Sequence, residues 1–233
     1  MDNLSVELHP YRLPLRAPLT TAHGTIADRA GVVLSVAGDG LRGWGEAAPM
    51  PGWSVETLDE VVDGLAAVAA ALSAHSDIDD PRVDDLLDDL DERPHVRAAV
   101  AGAIADLRAR RAGCSLAAHL ADGAESSVAV NGLVTAADPA DVARRVTALR
   151  RAGFVAIKVK VAAAGAASDL ERVAAARAAA GPTIELRLDA NGGWDVPTAT
   201  ATLLAMSEHD IAFCEEPVAG IEAIAEVGRS SAV

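Results

Sequence analysis

Two lysines sit two residues apart in an apolar run, Ile157–Lys158–Val159–Lys160–Val161. A strand places residues i and i+2 on one face, so this spacing sets two ammonium groups side by side. Like charges in a nearly apolar element are costly unless something uses them. Each lowers the proton affinity of the other, which is how a lysine becomes a base near neutral pH. An exposed edge strand with two solvated lysines explains the same spacing, and the motif alone leaves both readings open. Downstream, two acids follow apolar runs, in Leu188–Asp189–Ala190–Asn191–Gly192 and in Cys214–Glu215–Glu216–Pro217. Both fall at carboxyl ends of strands, where α/β proteins build their sites. Oxygen ligands from separate strands suit a hard cation such as Mg²⁺. Taken singly, Asp189 or Glu216 is better explained as a cap for backbone N–H groups. Two acids on successive strands, with a lysine pair on the strand before, point to a shared site.

The elements that must position these residues follow from the pattern of apolar residues and turn signals. Leu4–Leu13 alternates in part, Gly31–Val36 is a compact apolar run, and Gly38–Asp39–Gly40 is a turn before Leu41–Ala47, a hairpin signature. Ser54 is an expected N-cap with Glu56 in the first turn. Asp80–Asp91 reads as an acidic amphipathic segment with a solvated face, and His95–Ala112 as a helix stopped by Gly113. Expected strands then lie over Ser127–Val134, Phe154–Val161, Thr183–Asp189 and Ile211–Glu215. Expected helices lie over Pro139–Ala152, Ser168–Ala180 and Pro197–Ser207, and another begins at Gly220–Val227. Strands separated by single helices imply parallel βα units, and a period of about thirty residues suits a doubly wound sheet or a TIM-type barrel. No strand is followed by G-x-G-x-x-G or a P-loop, which weakens a nucleotide-binding reading.

Composition narrows the setting. The 233 residues are 51% hydrophobic and 23% charged, an ordinary globular balance. A net charge of −14 argues against nucleic acid or an anionic membrane as partner. Cys114 and Cys214 have no metal-type spacing and read as two small buried thiols. The chain opens without a basic segment and apolar run, and holds no stretch of roughly 18 uncharged apolar residues. The expected location is the cytoplasm.

The order K-x-K, D-A-N-G, E-E-P on three consecutive βα units resembles the enolase superfamily, in its muconate cycloisomerase branch. The segment Gly43–Trp44–Gly45–Glu46–Ala47–Ala48–Pro49–Met50–Pro51–Gly52–Trp53–Ser54–Val55–Glu56–Thr57 is similar to the capping domain of o-succinylbenzoate synthases, enzymes of menaquinone synthesis. The resemblance implies an α+β cap over residues 1–124, then over 125–233 the first half of a modified TIM-type (β/α) barrel. It implies Lys160 as the general base that removes a proton α to a carboxylate, with Lys158 tuning it. Asp189 and Glu215 would bind Mg²⁺, with Mn²⁺ as substitute. Asn191, Arg187 and Asn131 would support the site or touch a small carboxylate substrate, Arg187 being also within expected reach of the lysines. Thr20–Arg29 would be a mobile loop over the pocket, with His23 a solvent-exposed histidine in it.

The reaction the resemblance implies is dehydration by an o-succinylbenzoate synthase, a carbon–oxygen lyase. A dipeptide epimerase, an N-acylamino acid racemase or a muconate cycloisomerase would use the same groups, and a non-catalytic relative or assembly fragment is the alternative of another class. The family pattern also asks for a third acid about one βα unit beyond Glu215 and a second lysine one unit later. Glu222 and Glu226 fall in an expected helix, and no lysine follows Lys160. Gly228–Val233 reads as the lead-in to a further strand. The expectation is a truncated chain that is inactive alone.

Overall fold

The computed structural model describes residues 3–21, 24–163 and 165–231. The chain divides into two units, Met1–Ser126 and Ser127–Val233.

The first unit is an antiparallel sheet of β1 (Ser5–Thr21), β2 (Gly24–Gly38) and β3 (Leu41–Ala47), in that order. The β2–β3 turn is Asp39–Gly40, both with positive φ (51° and 77°), the backbone a two-residue hairpin needs. Four helices follow: α1 (Leu58–Leu72), α2 (Pro81–Asp88), α3 (Pro94–Arg111) and α4 (Leu116–Leu120). Helix α3 lies directly on β3. A Cβ at Gly43 would fall 2.2 Å from the Ala103 carbonyl oxygen, and one at Gly45 1.9 Å from that of Ala99. These glycines let backbone meet backbone. Leu34, Leu65, Leu72, Ile104 and Leu107 fill the core between the sheet and its helices.

Two expectations for this unit are corrected. Thr20–Thr21 and Gly24–Arg29 are strand, because β1 and β2 stay paired to Thr21↔Gly24; they do not form a loop. His23 lies outside the described residues. The N-cap of α1 is Thr57, not Ser54; Thr57 and Glu60 make a reciprocal capping box. The Ser54 hydroxyl is already engaged, accepting the Met50 N–H at 2.8 Å and meeting His95 Nε2 at 2.9 Å. Glu56 is buried before the helix, where its Oε2 accepts the His95 backbone N–H at 2.6 Å and pairs with His95 Nδ1 at 3.0 Å.

The second unit alternates strand and helix: β4 (Gly132–Val134), α5 (Pro139–Arg151), β5 (Ala156–Lys160), α6 (Ala166–Ala180), β6 (Glu185–Asp189), α7 (Val196–Ala205), a 3₁₀ turn (Ser207–His209), β7 (Ile211–Glu215) and α8 (Ile221–Ser230). Aspartates start two of the helices, the Asp138 side chain accepting the Asp141 N–H and that of Asp195 the Thr198 N–H, each followed by proline in the first turn. All strand pairs are parallel and the sheet order is β4-β5-β6-β7. Each strand neighbours the next, as in part of a TIM-type barrel; a doubly wound sheet reverses its order.

One face of β4, β5 and β6 packs on the helices: Val134, Ile157, Val159, Leu186 and Leu188 are all fully buried with Leu203 and Met206. The other face carries Lys158, Lys160, Arg187, Asp189, Phe213 and Glu215. Lys158 pairs with Arg187 and Arg187 with Phe213 in one row; Lys160, Asp189 and Glu215 form the row above.

Here too the sequence reading needs adjustment. The expected strand over 127–134 is strand only at 132–134. Val128 and Val130 are exposed, and β4 finds a partner in β5 only from Gly132 onward. Gly228–Ser230 are helical, not a lead-in to a strand, because α8 continues through them. Neither cysteine is fully buried; Cys114 is exposed and Cys214 half-buried. Among the described residues no helix is long and apolar enough to cross a membrane.

A lysine–carboxylate site at the strand ends

The chain has only two lysines, and both are here. Strand β5 is interior to the sheet, paired on both sides, so the edge-strand explanation of the K-x-K spacing does not hold. Lys158 and Lys160 point to the face opposite the helix-packed core, with side chains 21% and 30% exposed. Both meet the same oxygen: Asp189 Oδ2 lies 3.0 Å from Lys158 Nζ and 2.5 Å from Lys160 Nζ. Lys158 also donates to Glu215 Oε2 at 2.9 Å, and Lys160 to Asn191 Oδ1 at 2.7 Å. Strand register brings about this meeting, because Lys160, Asp189 and Glu215 stand side by side on adjacent parallel strands.

Asp189 is the hub. Its side chain is 1% exposed, and its Oδ1 accepts the Asn191 backbone N–H at 3.0 Å. That bond closes a tight turn in which Asn191 (φ 48°) and Gly192 (φ 71°) are both left-handed, a conformation that asparagine and glycine tolerate best. Asp189 therefore does cap backbone after its strand, and faces the lysines as well. Glu216 (φ 41°) turns the chain after β7, which leaves Glu215, in register with Asp189, as the acid on the site face.

The electrostatics revise one expectation. Two adjacent lysines alone would each lose proton affinity. Here the Lys158 ammonium is held above its ordinary value, chiefly by its hydrogen bond to Glu215 and then by Asp189, against the opposing effect of burial. The acids facing Lys158 outweigh its burial. Burial pushes the Asp189 carboxyl up, but the Lys160 and Lys158 hydrogen bonds together hold it below the usual carboxylate range.

Arg187 and Asn131 form a second group. Arg187 donates to Glu185 Oε1 at 2.6 Å and to Asn131 Oδ1 at 3.3 Å, and its guanidinium stands 5.3 Å from the centre of the Phe213 ring. Arg187 faces the site side, as its spacing from Asp189 implies, but its hydrogen bonds go to Glu185 and Asn131, not to the lysines. Sequence reasoning passed over two residues behind the site, Asp169 and Arg172, both buried beneath the end of β5.

The Asp189 and Glu215 oxygens converge on one cation, the Lys158 ammonium, at 3.0 and 2.9 Å. Carboxylate oxygens are the donor type that Mg²⁺ takes. Among the described residues no group of three or more His, Cys, Asp or Glu side chains is placed to hold a metal.

Residues 3–84 match the family described as MenC, N-terminal domain, and residues 141–233 that described as enolase C-terminal domain-like. A hydrophobic dipeptide epimerase of Roseobacter litoralis is 31% identical over 221 residues, covering 92% of this chain and 62% of its own length. A chloromuconate cycloisomerase of Pseudomonas sp. strain P51 is 28% identical over 213 residues, covering 88% and 57%. A solved dipeptide epimerase of Enterococcus faecalis V583, complexed with Mg and the dipeptide L-Leu-L-Tyr, superimposes at a TM-score of 0.90 with 25% identity. That match covers 100% of this chain and 66% of the solved one. The chain thus spans about three fifths of the curated relatives it matches. A MenC-type match on the N-terminal unit and an enolase-type match on the C-terminal βα units, with relatives similar along most of its length, place this chain in the enolase superfamily.

Proposed function

We propose that this chain carries the proton-transfer half of a Mg²⁺-dependent enzyme that removes a proton α to a substrate carboxylate. The observation that supports it is the convergence of Lys158, Lys160, Asp189 and Glu215 within hydrogen-bonding distance across three adjacent strands. In this reading Lys160, as the neutral amine, takes the proton and becomes an ammonium, and Asn191 Oδ1, accepting from its Nζ at 2.7 Å, orients that nitrogen. Lys158 keeps its proton and lends positive charge to the anion that forms. Asp189 and Glu215 hold the metal, with Mn²⁺ as a substitute. Mg²⁺ held there would supply stabilisation of the charge that develops on the substrate carboxylate. Arg187 and Asn131 form the floor of the site. The partner is a small carboxylate-bearing molecule.

For the substrate we propose the o-succinylbenzoate synthase reaction of menaquinone biosynthesis, a dehydration. It is supported by the match of residues 3–84 to the MenC N-terminal family. A second reading, dipeptide epimerisation, is favoured by the similarity to dipeptide epimerases across most of the chain. Both begin with the same proton removal.

Isotope exchange in D₂O tests the shared step. With Mg²⁺ present, a protein of the relatives' full length that contains this sequence should exchange the α-proton of its substrate for deuterium, whereas these 233 residues alone should not. Lys160→Ala should cut the rate by at least about 10²-fold, the usual worth of a positioned base. Undiminished exchange in that variant would refute the assignment. Which compound supports exchange, the cyclohexadiene precursor or a dipeptide, separates the two substrates.

A further inference from the structure

Behind the site, α6 turns two charged residues inward. Asp169 and Arg172 are 0% and 3% exposed, and Arg172 Nη1 donates to Asp169 Oδ1 at 2.9 Å. Burial pushes the Asp169 carboxyl up more than its partners pull it down, so the pair is expensive to keep. Apart from the Trp194 side chain, which also faces Asp169, its remaining bonds go to backbone at the carboxyl end of the sheet. Arg172 Nη2 donates to the Lys160 carbonyl at 2.6 Å and Nε to the Ala136 carbonyl, beyond β4, at 2.9 Å. Asp169 Oδ2 accepts the Ala162 N–H at 2.8 Å. Between them the Val161 N–H donates to the Asp189 carbonyl at 2.9 Å. The Lys160 carbonyl and the Val161 and Ala162 N–H groups are thus all engaged. The anchoring matters because Ala162 is left-handed (φ 72°), a conformation L side chains avoid unless their surroundings impose it.

We propose that Arg172, seated by Asp169, is a positioning residue that sets where Lys160 stands at the carboxyl end of the sheet, by gripping the backbone carbonyls of Lys160 and Ala136. Its importance for turnover rests on Lys160 being the base; the positioning itself does not. A contrast lies on the same helix. Arg177 donates to the carbonyls of Gly181, Ile184, His209 and Asp210, all near the opposite end of the strands. One arginine of α6 ties each end of the sheet, and only Arg172 ties the end bearing the site.

Because the chain has just two lysines, lysine labelled with ¹³C and ¹⁵N gives two side-chain Cε–Hε signals, assigned with Lys158→Met and Lys160→Met. The variants are Asp169→Asn/Arg172→Met, which removes both buried charges together so that neither is stranded; Arg172→Lys; and Arg177→Met. We expect the double variant to move the Lys160 signal clearly further than that of Lys158. The Val161 and Ala162 amides should exchange about tenfold faster, as the loss of a local hydrogen bond implies. Arg172→Lys, which keeps a donor and the charge, should give an intermediate shift, and Arg177→Met should leave Lys160 in place. An unmoved Lys160 signal in a double variant that circular dichroism shows to be folded overturns the proposal. So does an equal shift in Arg177→Met, which would mean general loosening. If only the base assignment is wrong, the Lys160 shifts will still appear, while substrate exchange in D₂O will survive Lys160→Ala.

Discussion

The shared oxygen of Asp189 makes a quantitative prediction about coupling between the two lysines. Replacing either with methionine, at pH 7 and without metal, leaves the buried carboxylate one ammonium partner. The loss is then a charge-assisted hydrogen bond in a mostly buried setting, about 1–2 kcal/mol. Replacing both strands a charge whose side chain is 1% exposed, for which the expected loss is about 3–5 kcal/mol. The double variant should therefore exceed the sum of the singles by roughly 1 kcal/mol. The sign of the pH dependence should invert as well. In the native protein the Asp189 pKa is lowered, so its contribution is present above the ordinary carboxylate value and is lost as pH falls through the lowered one. In the double variant burial, the largest influence on this carboxyl, is opposed by the Asn191 N–H bond but no longer by the lysines, and it raises that pKa. Stability is then greatest below the ordinary value and is lost as pH rises through the raised one. Urea unfolding followed by Trp194 fluorescence measures this, in a background where the exposed Trp44 and Trp53 are phenylalanine. Trp194 is then the only tryptophan and reports the second unit alone. Additivity within about 0.5 kcal/mol, or a double variant that gains stability as pH rises, would refute the picture of one carboxylate held by two cations.

Two further outcomes follow from packing and exposure. Gly45→Ala drives a Cβ into the Ala99 carbonyl of α3 and should cost about 2–3 kcal/mol. Gly228→Ala, in the exposed last turns of α8 with nothing within 4 Å of the new Cβ, should gain about 0.5–1 kcal/mol; thermal melting of both variants checks the pair. Burial, and then the charge of Asp189, push the Cys214 thiol up to about 12. Iodoacetamide at pH 8 should therefore alkylate exposed Cys114 far faster than Cys214, read by peptide mass spectrometry.

Much of this protein was legible in its residues. The β2–β3 hairpin announced itself through Gly38–Asp39–Gly40, and the parallel βα alternation through apolar runs spaced by helices that proline and glycine bound. The K-x-K spacing put both lysines on one face whatever surrounded them, because a strand's period of two is a property of the backbone alone. Periodicity also placed Asp169 and Arg172 on the stripe of α6 that buries Val173 and Ala176, a signal easily passed over because charged residues so placed usually mark a solvated face.

What the residues alone left open were matters of partnership. Whether β5 was an edge or an interior strand depended on β4 and β6. Which of Glu215 and Glu216 joins the site depended on register with Asp189. The proton affinity of Lys158 was expected to fall and instead rises, because the carboxylates of Asp189 and Glu215, distant in the chain, come within 3.0 and 2.9 Å of its ammonium. Val128 and Val130 carry a strand-like alternation yet stay out of the sheet, because β4 pairs with β5 only from Gly132. Local sequence determines which conformations each segment can adopt and which way its side chains alternate. Only the tertiary structure decides which charges meet, since Coulomb attraction and burial depend on distances that sequence separation does not set.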